Sequence, residues 1–354
     1  MGRIFFVPAL VVCLVSCMKQ DDFNGGDFDG HSVKGFFIIN EGTYASGNAS
    51  LSWHDTGTGE TLDNVFYGAN GIPLGDTAQS MTISGDTGWI VVNNSKVIFA
   101  VDMADMRLKG SITGFTSPRN MMVLSDTKAY VTEMYDNRIV IVNPRTYEIA
   151  GYIETGCSTE QMILHDGYVY VNFWSSGNMI LKIDPVSDTV VDKMEVGLQP
   201  CGMALDTNNR LWVLSDGSAG WTDNPAGHET PSLCMIDLET FTIEKKYVFD
   251  GYESVNYSAP SDLHIDGTGT ILYWMDGGVW KMGITAASLP DKPLIHSTGD
   301  QSFYSMTIDP ENGDIFVGDA IDYSQNGKVY RYSSDGTLLE KFGAGICPGD
   351  FCWY

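Results

Sequence analysis

The fold is decided by the last twelve residues of the chain, Gly343-Ala-Gly-Ile-Cys-Pro-Gly-Asp-Phe-Cys-Trp-Tyr354. The alternation of apolar residues here predicts a strand with Phe351 and Trp353 on one face. The same pattern of a proline, two small or polar residues and a large apolar residue recurs inside the chain. It occurs in Thr116-Ser-Pro-Arg-Asn-Met-Met-Val123, Leu198-Gln-Pro-Cys-Gly-Met-Ala-Leu205 and Ala259-Pro-Ser-Asp-Leu-His-Ile265. The C-terminal stretch is therefore one more copy of an internal unit.

This unit recurs about every forty residues. The central apolar residue of each copy is Met81, Met121, Met162, Met203, Leu263, Met306 or Phe351. Each copy holds short apolar strands separated by turns rich in Gly, Asn and Asp. Four antiparallel strands at this period are typical of a β-propeller blade.

The first copy begins at Gly35 and has no first strand before it. A strand around Phe351 supplies what is missing, and this pairing removes the open edge that an unclosed ring would leave. We therefore predict an all-β fold over residues 35–354, a seven-bladed β-propeller closed by the C-terminal strand joining the first blade.

Composition limits the class of partner. The 354 residues include 43% hydrophobic and 12% aromatic residues, enough for a substantial core. The formal net charge is −25. This charge argues against nucleic acid or an anionic membrane surface as the partner.

The N-terminus predicts a lipoprotein. The apolar run from Ile4 to Val15 is too short to span a bilayer, and Leu14-Val-Ser-Cys17 matches the bacterial lipoprotein cleavage box. Residues 1–17 are thus a predicted signal peptide with Cys17 lipidated, and residues 18–34 a flexible tether. An ordinary secretion signal is the alternative. Met18-Lys-Gln-Asp-Asp22 is similar to the acidic tag of surface-exposed lipoproteins. We expect an outer-membrane protein facing the cell exterior and held by its lipid alone.

Five cysteines follow the predicted leader, and their pairing stays open. Their odd number and spacing fit no zinc pattern. A Cys347–Cys352 or Cys157–Cys201 disulfide and free buried thiols are all compatible with the sequence. The five residues are Cys157, Cys201, Cys234, Cys347 and Cys352.

Catalytic motifs are missing from the sequence. It contains no Gly-x-Ser-x-Gly, His-Glu-x-x-His or phosphate-loop motif, and the six histidines are not spaced as metal ligands. We predict no catalytic residue, no metal site and no cofactor. An acid or amide that recurs at the same place in several blades favours a strand-end cap over an active site, since one site needs no copy in each blade. These residues are Asp102, Asn143, Asp184 and Asp237.

The functional signal lies in the loops between second and third strands, which share one face of a propeller with the connections into first strands. Aromatic, amide and acidic residues stand there beyond the apolar alternation. Such residues suit a large amphipathic ligand. Packing against neighbouring loops is the alternative for each. The predicted ligand-binding residues are Tyr44, Asn93, Asn94, Arg119, Tyr135, Asp136, Trp174, Trp221, Tyr304, Asp322 and Tyr323.

A series of phrases in a fixed order along the chain resembles BtuG-type surface lipoproteins, a group of YncE-like propellers. The resemblance implies capture of cobalamin or related corrinoids, as a transported ligand, for a TonB-dependent outer-membrane transporter of the BtuB type. The phrases are Phe37-Ile-Ile-Asn-Glu-Gly42, Gly47-Asn-Ala-Ser-Leu-Ser52, Ala78-Gln-Ser-Met-Thr-Ile83, Gly88-Trp-Ile-Val-Val-Asn-Asn-Ser95, Gly114-Phe-Thr-Ser-Pro-Arg119, Ser158-Thr-Glu-Gln-Met162, Asp319-Ala-Ile-Asp-Tyr323 and Phe351-Cys-Trp353.

Two other functions fit the sequence. A glycan- or protein-binding surface propeller would use the same exposed aromatics. A propeller lyase or lactonase would need a metal or a cluster of histidine and carboxylates at the channel mouth, and no repeated unit carries such a pair.

Overall fold

The computed structural model describes residue 28 and residues 34–175, 177–218, 224–249 and 259–354. The predicted signal peptide with Cys17, most of the predicted tether and Trp221 lie outside these residues.

Within the described residues, the strands form seven four-stranded antiparallel sheets arranged as blades of a ring. This confirms the predicted β-propeller. Blades 1 to 3 contain β1 (Gly35–Asn40), β2 (Ser50–Asp55), β3 (Thr61–Leu62), β4 (Ala78–Ser84), β5 (Thr87–Val92), β6 (Val97–Asp102), β7 (Leu108–Thr113), β8 (Pro118–Ser125), β9 (Lys128–Glu133), β10 (Arg138–Asn143) and β11 (Glu148–Glu154).

The remaining blades follow the same order of strands from the axis outward. Blades 4 to 7 contain β12 (Met162–His165), β13 (Tyr168–Asn172), β14 (Met179–Asp184), β15 (Thr189–Glu195), β16 (Pro200–Leu205), β17 (Arg210–Ser215), β18 (Ser232–Asp237), β19 (Thr242–Val248), β20 (Ser261–Ile265), β21 (Ile271–Met275), β22 (Gly278–Gly283), β23 (Ile295–His296), β24 (Phe303–Ile308), β25 (Ile315–Asp319), β26 (Asn326–Tyr332) and β27 (Leu338–Ile346).

The chain ends in β28 (Pro348–Trp353), which pairs antiparallel with β1 and becomes the innermost strand of blade 1. Phe36 lies opposite Trp353, and Ile38 lies opposite Phe351. Phe351 packs in a buried cluster with Phe36 and with Phe316 of blade 7. The C-terminal strand therefore closes the ring, as the sequence predicts.

The core lies between neighbouring blades. The second strand of each blade is buried almost throughout, because both of its faces pack against adjacent sheets; β1 and β5 are examples. This explains why second strands read as unbroken apolar runs. Fourth strands have one edge in solvent and alternate between exposed and partly buried residues, as in β15.

The recurring acids and amides are the last residues of third strands, immediately before a turn. The side-chain oxygens of Asp102, Asn143, Asp184 and Asp237 each accept a hydrogen bond from the backbone N–H two residues later, at 2.8–3.0 Å. This is the local bond that favours such residues in turns. Their interpretation as structural caps is confirmed.

Two features were not anticipated. A six-residue helix, α1 (Val65–Asn70), leads from blade 1 into blade 2 and buries Val65 and Phe66; it is too short to show helical periodicity. Phe28, within the predicted tether, is buried against Phe37 and Trp53, with ring centroids 5.4 and 5.2 Å away. The core therefore includes one residue of that segment. The five cysteines that follow the predicted leader are free, which is one of the alternatives that the sequence leaves open.

Candidate functional site

The loops between second and third strands share one side of the ring with the connections into first strands. The backbone N–H of Glu41 donates to the carbonyl of Cys347 at 2.9 Å, and that of Asn93 donates to Thr77 at 2.8 Å. In blade 3 the backbone N–H of Met134 likewise donates to the carbonyl of Ser117 at 3.0 Å. We call this side the upper face. The chain enters blade 1 on the opposite, lower face, since Lys34 precedes β1 and pairs with Glu311 in a lower turn of blade 7.

Tyrosine rings stand out from the upper face. Tyr44 is 77% exposed, Tyr135 71% and Tyr323 48%. The hydroxyl of Thr43 donates to the carbonyl of Tyr323 at 3.1 Å and joins the loops of blades 1 and 7. Tyr323 packs edge-on against Tyr304, with centroids 5.5 Å apart. The structure thus places Tyr44 and Tyr323 on neighbouring loops and Tyr304 near the start of β24, while Tyr135 lies on blade 3.

An ionic group surrounds Arg119 at the start of the first strand of blade 3. The guanidinium Nε donates to both carboxylate oxygens of Glu160, at 2.9 and 2.7 Å, and Nη1 donates to Gln79 Oε1. Trp174 lies 5.9 Å from the guanidinium carbon. Burial opposes the charge of Arg119, but the adjacent Glu160 carboxylate raises its pKa overall. Arg119 and Trp174, both predicted site residues, are therefore brought together.

Glu41 and Tyr304 form a second polar pair at the channel mouth. The Tyr304 hydroxyl donates to Glu41 Oε2 at 3.0 Å. Burial raises the pKa of Glu41, and burial together with Glu41 raises that of Tyr304. Glu41 has room because the facing residue of β28 is Gly349: a Cβ there would lie 2.5 Å from Glu41 Oε1. The sequence reasoning missed Glu41.

The residues that form this mouth share one position in the repeat, two places before the central apolar residue. That position holds Gln79, Arg119, Glu160, Cys201, Ser261, Tyr304 and Gly349. Arg119 of blade 3 interacts electrostatically with Glu41 of blade 1 and Tyr304 of blade 7. Because these blades do not all adjoin, the groups face one another across the axis. The repeat alignment therefore contained the signal for Gln79 and Glu160 as members of the site.

A titratable cluster lines the channel. His264 Nε2 lies 2.9 Å from Asp262 Oδ1, and Asp262 Oδ2 accepts the backbone N–H of Met306 at 2.5 Å. Asp350 reaches the cluster from blade 1. Burial raises the pKa of Asp350 to about 7, and the charges of Asp262 and Glu41 add to the rise, whereas the Phe351 N–H and His264 oppose it. Burial alone would lower the pKa of His264, but the charge of Asp262 and its hydrogen bond raise that pKa overall. The sequence reasoning missed this cluster.

Four predicted site residues have their polar groups bonded within the protein. Asn93 donates to Ser117 Oγ and to the carbonyl of Pro118, both at 2.9 Å, and so ties blade 2 to blade 3. Asn94 donates to Asp76.

The carboxylates of Asp136 and Asp322 also have their hydrogen-bond partners within the protein. Asp136 pairs with Arg138 at 2.7 Å, and Asp322 accepts the backbone N–H groups of Ser324 and Gln325 at 3.0 Å. These four residues hold loops in place. Trp221, the remaining predicted residue, lies outside the described part of the chain.

Two features are absent from the described residues. No group of three or more His, Cys, Asp or Glu side chains in that part of the chain is arranged to hold a metal ion. Over the same residues, no helix has the length and apolar character needed to cross a bilayer.

Comparison with known proteins identifies one family and a set of solved structures with a similar fold. A family model described as a domain of unknown function (DUF5074) matches residues 34–343. No curated protein matches. A quinonprotein alcohol dehydrogenase-like protein from Bacteroides thetaiotaomicron is similar, with 15% identity, a TM-score of 0.68 and coverage of 93% of this chain and 79% of that one.

A putative 6-phosphogluconolactonase from Bacteroides uniformis is also similar, with 12% identity and a TM-score of 0.66. It covers 91% of this chain and 100% of its own. A second one, from Bacteroides fragilis, has 12% identity, a TM-score of 0.64 and coverage of 91% and 98%. At these identities the likeness extends to the fold alone.

Proposed function

The chain belongs to the DUF5074 family, and from this starting point we propose that it is a cell-surface lipoprotein that binds cobalamin or a related corrinoid on its upper face. It passes the ligand to a TonB-dependent outer-membrane transporter. Cys17 carries the lipid that holds the protein at the outer membrane.

The observation that carries this proposal is the composition of the upper face. Exposed rings of Tyr44, Tyr135 and Tyr323 surround a channel mouth lined by polar and charged groups. A corrinoid is large, with a macrocycle rimmed by amides and a nucleotide tail. Its flat surface matches aromatic side chains, and its amides match the hydroxyl, carboxylate and guanidinium groups near Glu41 and Arg119.

A second candidate is an acid–base enzyme such as a lactonase or lyase. The cluster of Asp262, His264 and Asp350 favours it, because an acid and a base with shifted pKa values in a channel are typical of active sites. The two candidates use different residues. His264→Gln removes the acid–base group and leaves the tyrosines of the upper face in place.

Calorimetry tests the proposal on the chain without residues 1–17. Cyanocobalamin and cobinamide are titrated separately, and saturable heat is expected. The double variant Tyr44→Ala/Tyr323→Ala is expected to bind at least about tenfold more weakly, because aromatic anchors dominate such interfaces. Tyr168→Ala is the matched control, since Tyr168 is an exposed tyrosine at the lower end of blade 4. Absence of heat and of a mobility shift with both corrinoids overturns the proposal.

Transfer to a transporter is tested in cells. Cys17→Ala is expected to release the protein from the membrane and to reduce corrinoid uptake, while the purified variant still binds its ligand. Normal uptake by this variant contradicts the proposed anchored hand-off without affecting the binding proposal.

A further inference from the structure

A cavity of about 580 Å³ lies at the outer side of the ring, between blades 5 and 6. It exists because blade 6 has a reduced fourth strand. β23 spans two residues, whereas the fourth strands of blades 2 to 5 and 7 span six to nine. Residues 284–294 replace the missing strand as a loop, and this loop forms one wall of the cavity.

The loop is fixed to blade 5. The Tyr247 hydroxyl donates to the carbonyl of Ala286 at 2.7 Å. Lys245 Nζ donates to the same carbonyl at 2.9 Å and to Ala287 at 3.1 Å. These three bonds hold the wall at a set distance from β19, so the cavity is part of the folded structure.

The inner wall is an aromatic layer with one accessible ring. Trp280 stacks on Trp274 with their planes 9° apart, and Phe249 meets Trp274 edge-on. Trp274 is fully buried, and Phe249 is 9% exposed. Trp280 is partly exposed and its plane is fixed, because its Nε1 donates to the carbonyl of Asp276 at 2.8 Å. Among its described lining residues, the cavity therefore offers one rigid and partly exposed indole face.

The polar groups at the rim select among ligands. Ser288 and Asp291 line the cavity, and neither Lys nor Arg is among its described lining residues. The described lining thus carries two carboxylates, Asp276 and Asp291, which disfavour phosphate and carboxylate ligands by charge repulsion. One open ring also differs from the several ring faces of an aromatic cage for a quaternary ammonium. With anions and quaternary ammonium groups disfavoured, the ligand that fits best is a neutral ring with an apolar face and hydroxyl groups at its edge.

We propose that this cavity is a carbohydrate-binding site that takes a neutral pyranose, alone or at the end of a glycan chain. The apolar face of the sugar lies on Trp280, and its hydroxyls donate to Asp291 and Ser288. Cavities of this volume are of the size that holds small ligands. The site is separate from the upper-face tyrosines and works whether or not the protein binds a corrinoid.

The test is NMR of the tryptophan indole N–H groups in the chain without residues 1–17. The probes are the methyl glycosides of glucose, galactose, mannose and N-acetylglucosamine, with maltose and cellobiose. The Trp280 resonance is identified as the one lost in Trp280→Phe. At least one probe is expected to shift it saturably, with a millimolar Kd.

Variants define the contacts. Trp280→Ala is expected to weaken binding at least about tenfold, and Trp280→Phe less, because a smaller aromatic face remains. Thermal unfolding establishes that each variant is folded. Asp291→Asn is expected to stay within about twofold of the wild type, since the amide oxygen still accepts a hydroxyl, whereas Asp291→Ala binds more weakly. Tyr168→Ala removes an exposed aromatic ring at the lower end of blade 4; it is the matched control and leaves sugar binding unchanged.

Two results overturn the proposal. One is that none of the probes shifts the Trp280 resonance. The other is that Trp280→Ala binds every probe as tightly as the wild type.

Discussion

The indole Nε1 of Trp353 donates a hydrogen bond to the Thr307 hydroxyl oxygen at 2.8 Å. Trp353 belongs to blade 1 through β28, and Thr307 belongs to the first strand of blade 7. This bond therefore joins the closing strand of blade 1 to the neighbouring blade 7. The Trp353 ring also packs against Phe36 and Phe316, at 4.9 and 5.9 Å between centroids.

Replacing Trp353 by Phe tests this contact. The ring packing largely remains, so the expected loss is about 1 kcal/mol of unfolding free energy from the hydrogen bond. Deleting residues 347–354 removes all of β28 and is expected to abolish cooperative unfolding, measured by circular dichroism during heating. Deleting Tyr354 alone is the control for shortening the chain. A truncated protein lacking residues 347–354 that keeps its full thermal stability contradicts the closure.

The pKa of Asp350 predicts a pH dependence of stability. Its pKa rises from an ordinary 3.8 to about 7 on folding, so the folded state favours the protonated acid. Stability from this group is full below pH 3.8 and is lost as pH rises through about 7. The difference corresponds to at most about 4 kcal/mol, and we expect less because Asp350 is partly exposed in the channel.

Asp350→Asn is the variant that isolates this effect. Its gain in stability over the wild type is expected to be largest at about pH 8 and clearly smaller at about pH 5, in urea unfolding at both values. Asp216, whose pKa burial raises to about 6, gives the same sign of dependence in both proteins. An unchanged difference between the proteins at the two pH values would rule out the assignment to Asp350.

The ion pair of Arg119 and Glu160 predicts a large loss of stability when the carboxylate is replaced by an uncharged amide. Their side chains are 16% and 12% exposed. Glu160→Gln leaves the guanidinium buried without its counter-charge, and we expect a loss of about 3 kcal/mol in urea unfolding. Asp126→Asn is the matched control, because Asp126 pairs with Arg145 on the surface and is expected to show no measurable change. Equal effects of the two substitutions would contradict the importance of burial.

Gly349 predicts an effect of steric fit on the channel mouth. Gly349→Ala places a methyl group against the Glu41 carboxylate, which must move and release the Tyr304 hydroxyl. We expect a loss of about 1–3 kcal/mol. Gly343→Ala is the matched control, since a Cβ there meets nothing within 4 Å. A crystal structure of the Gly349→Ala variant with the bond between Glu41 and Tyr304 intact would refute this account.

Much of the fold followed from the sequence because each blade repeats the same pattern. Seven aligned apolar residues and the turn residue Asp102 with its equivalents fixed the blades. The missing first strand before Gly35 identified the role of β28. By contrast, the sequence does not predict α1, because six residues are too few to show helical periodicity.

The site was less predictable, since side chains of the same type serve different purposes. Arg119, Tyr304 and Tyr323 lie at the channel mouth or on the face around it, as their positions indicated. Asn93 has the same polarity, but bonds to the backbone of blade 3. Glu41 and Asp350 come from opposite ends of the chain and meet only after closure, so no local pattern marks them.

Closure by β28 also orders events during synthesis. β1 is made before blades 2 to 7, and its inner partner β28 is made after them. Until the final residues emerge, the inner edge of β1 has unpaired backbone groups, which are a template for pairing with another chain. Blade 1 cannot be completed until β28 has been made, so the inner edge of β1 needs protection for the whole time between the synthesis of the two strands.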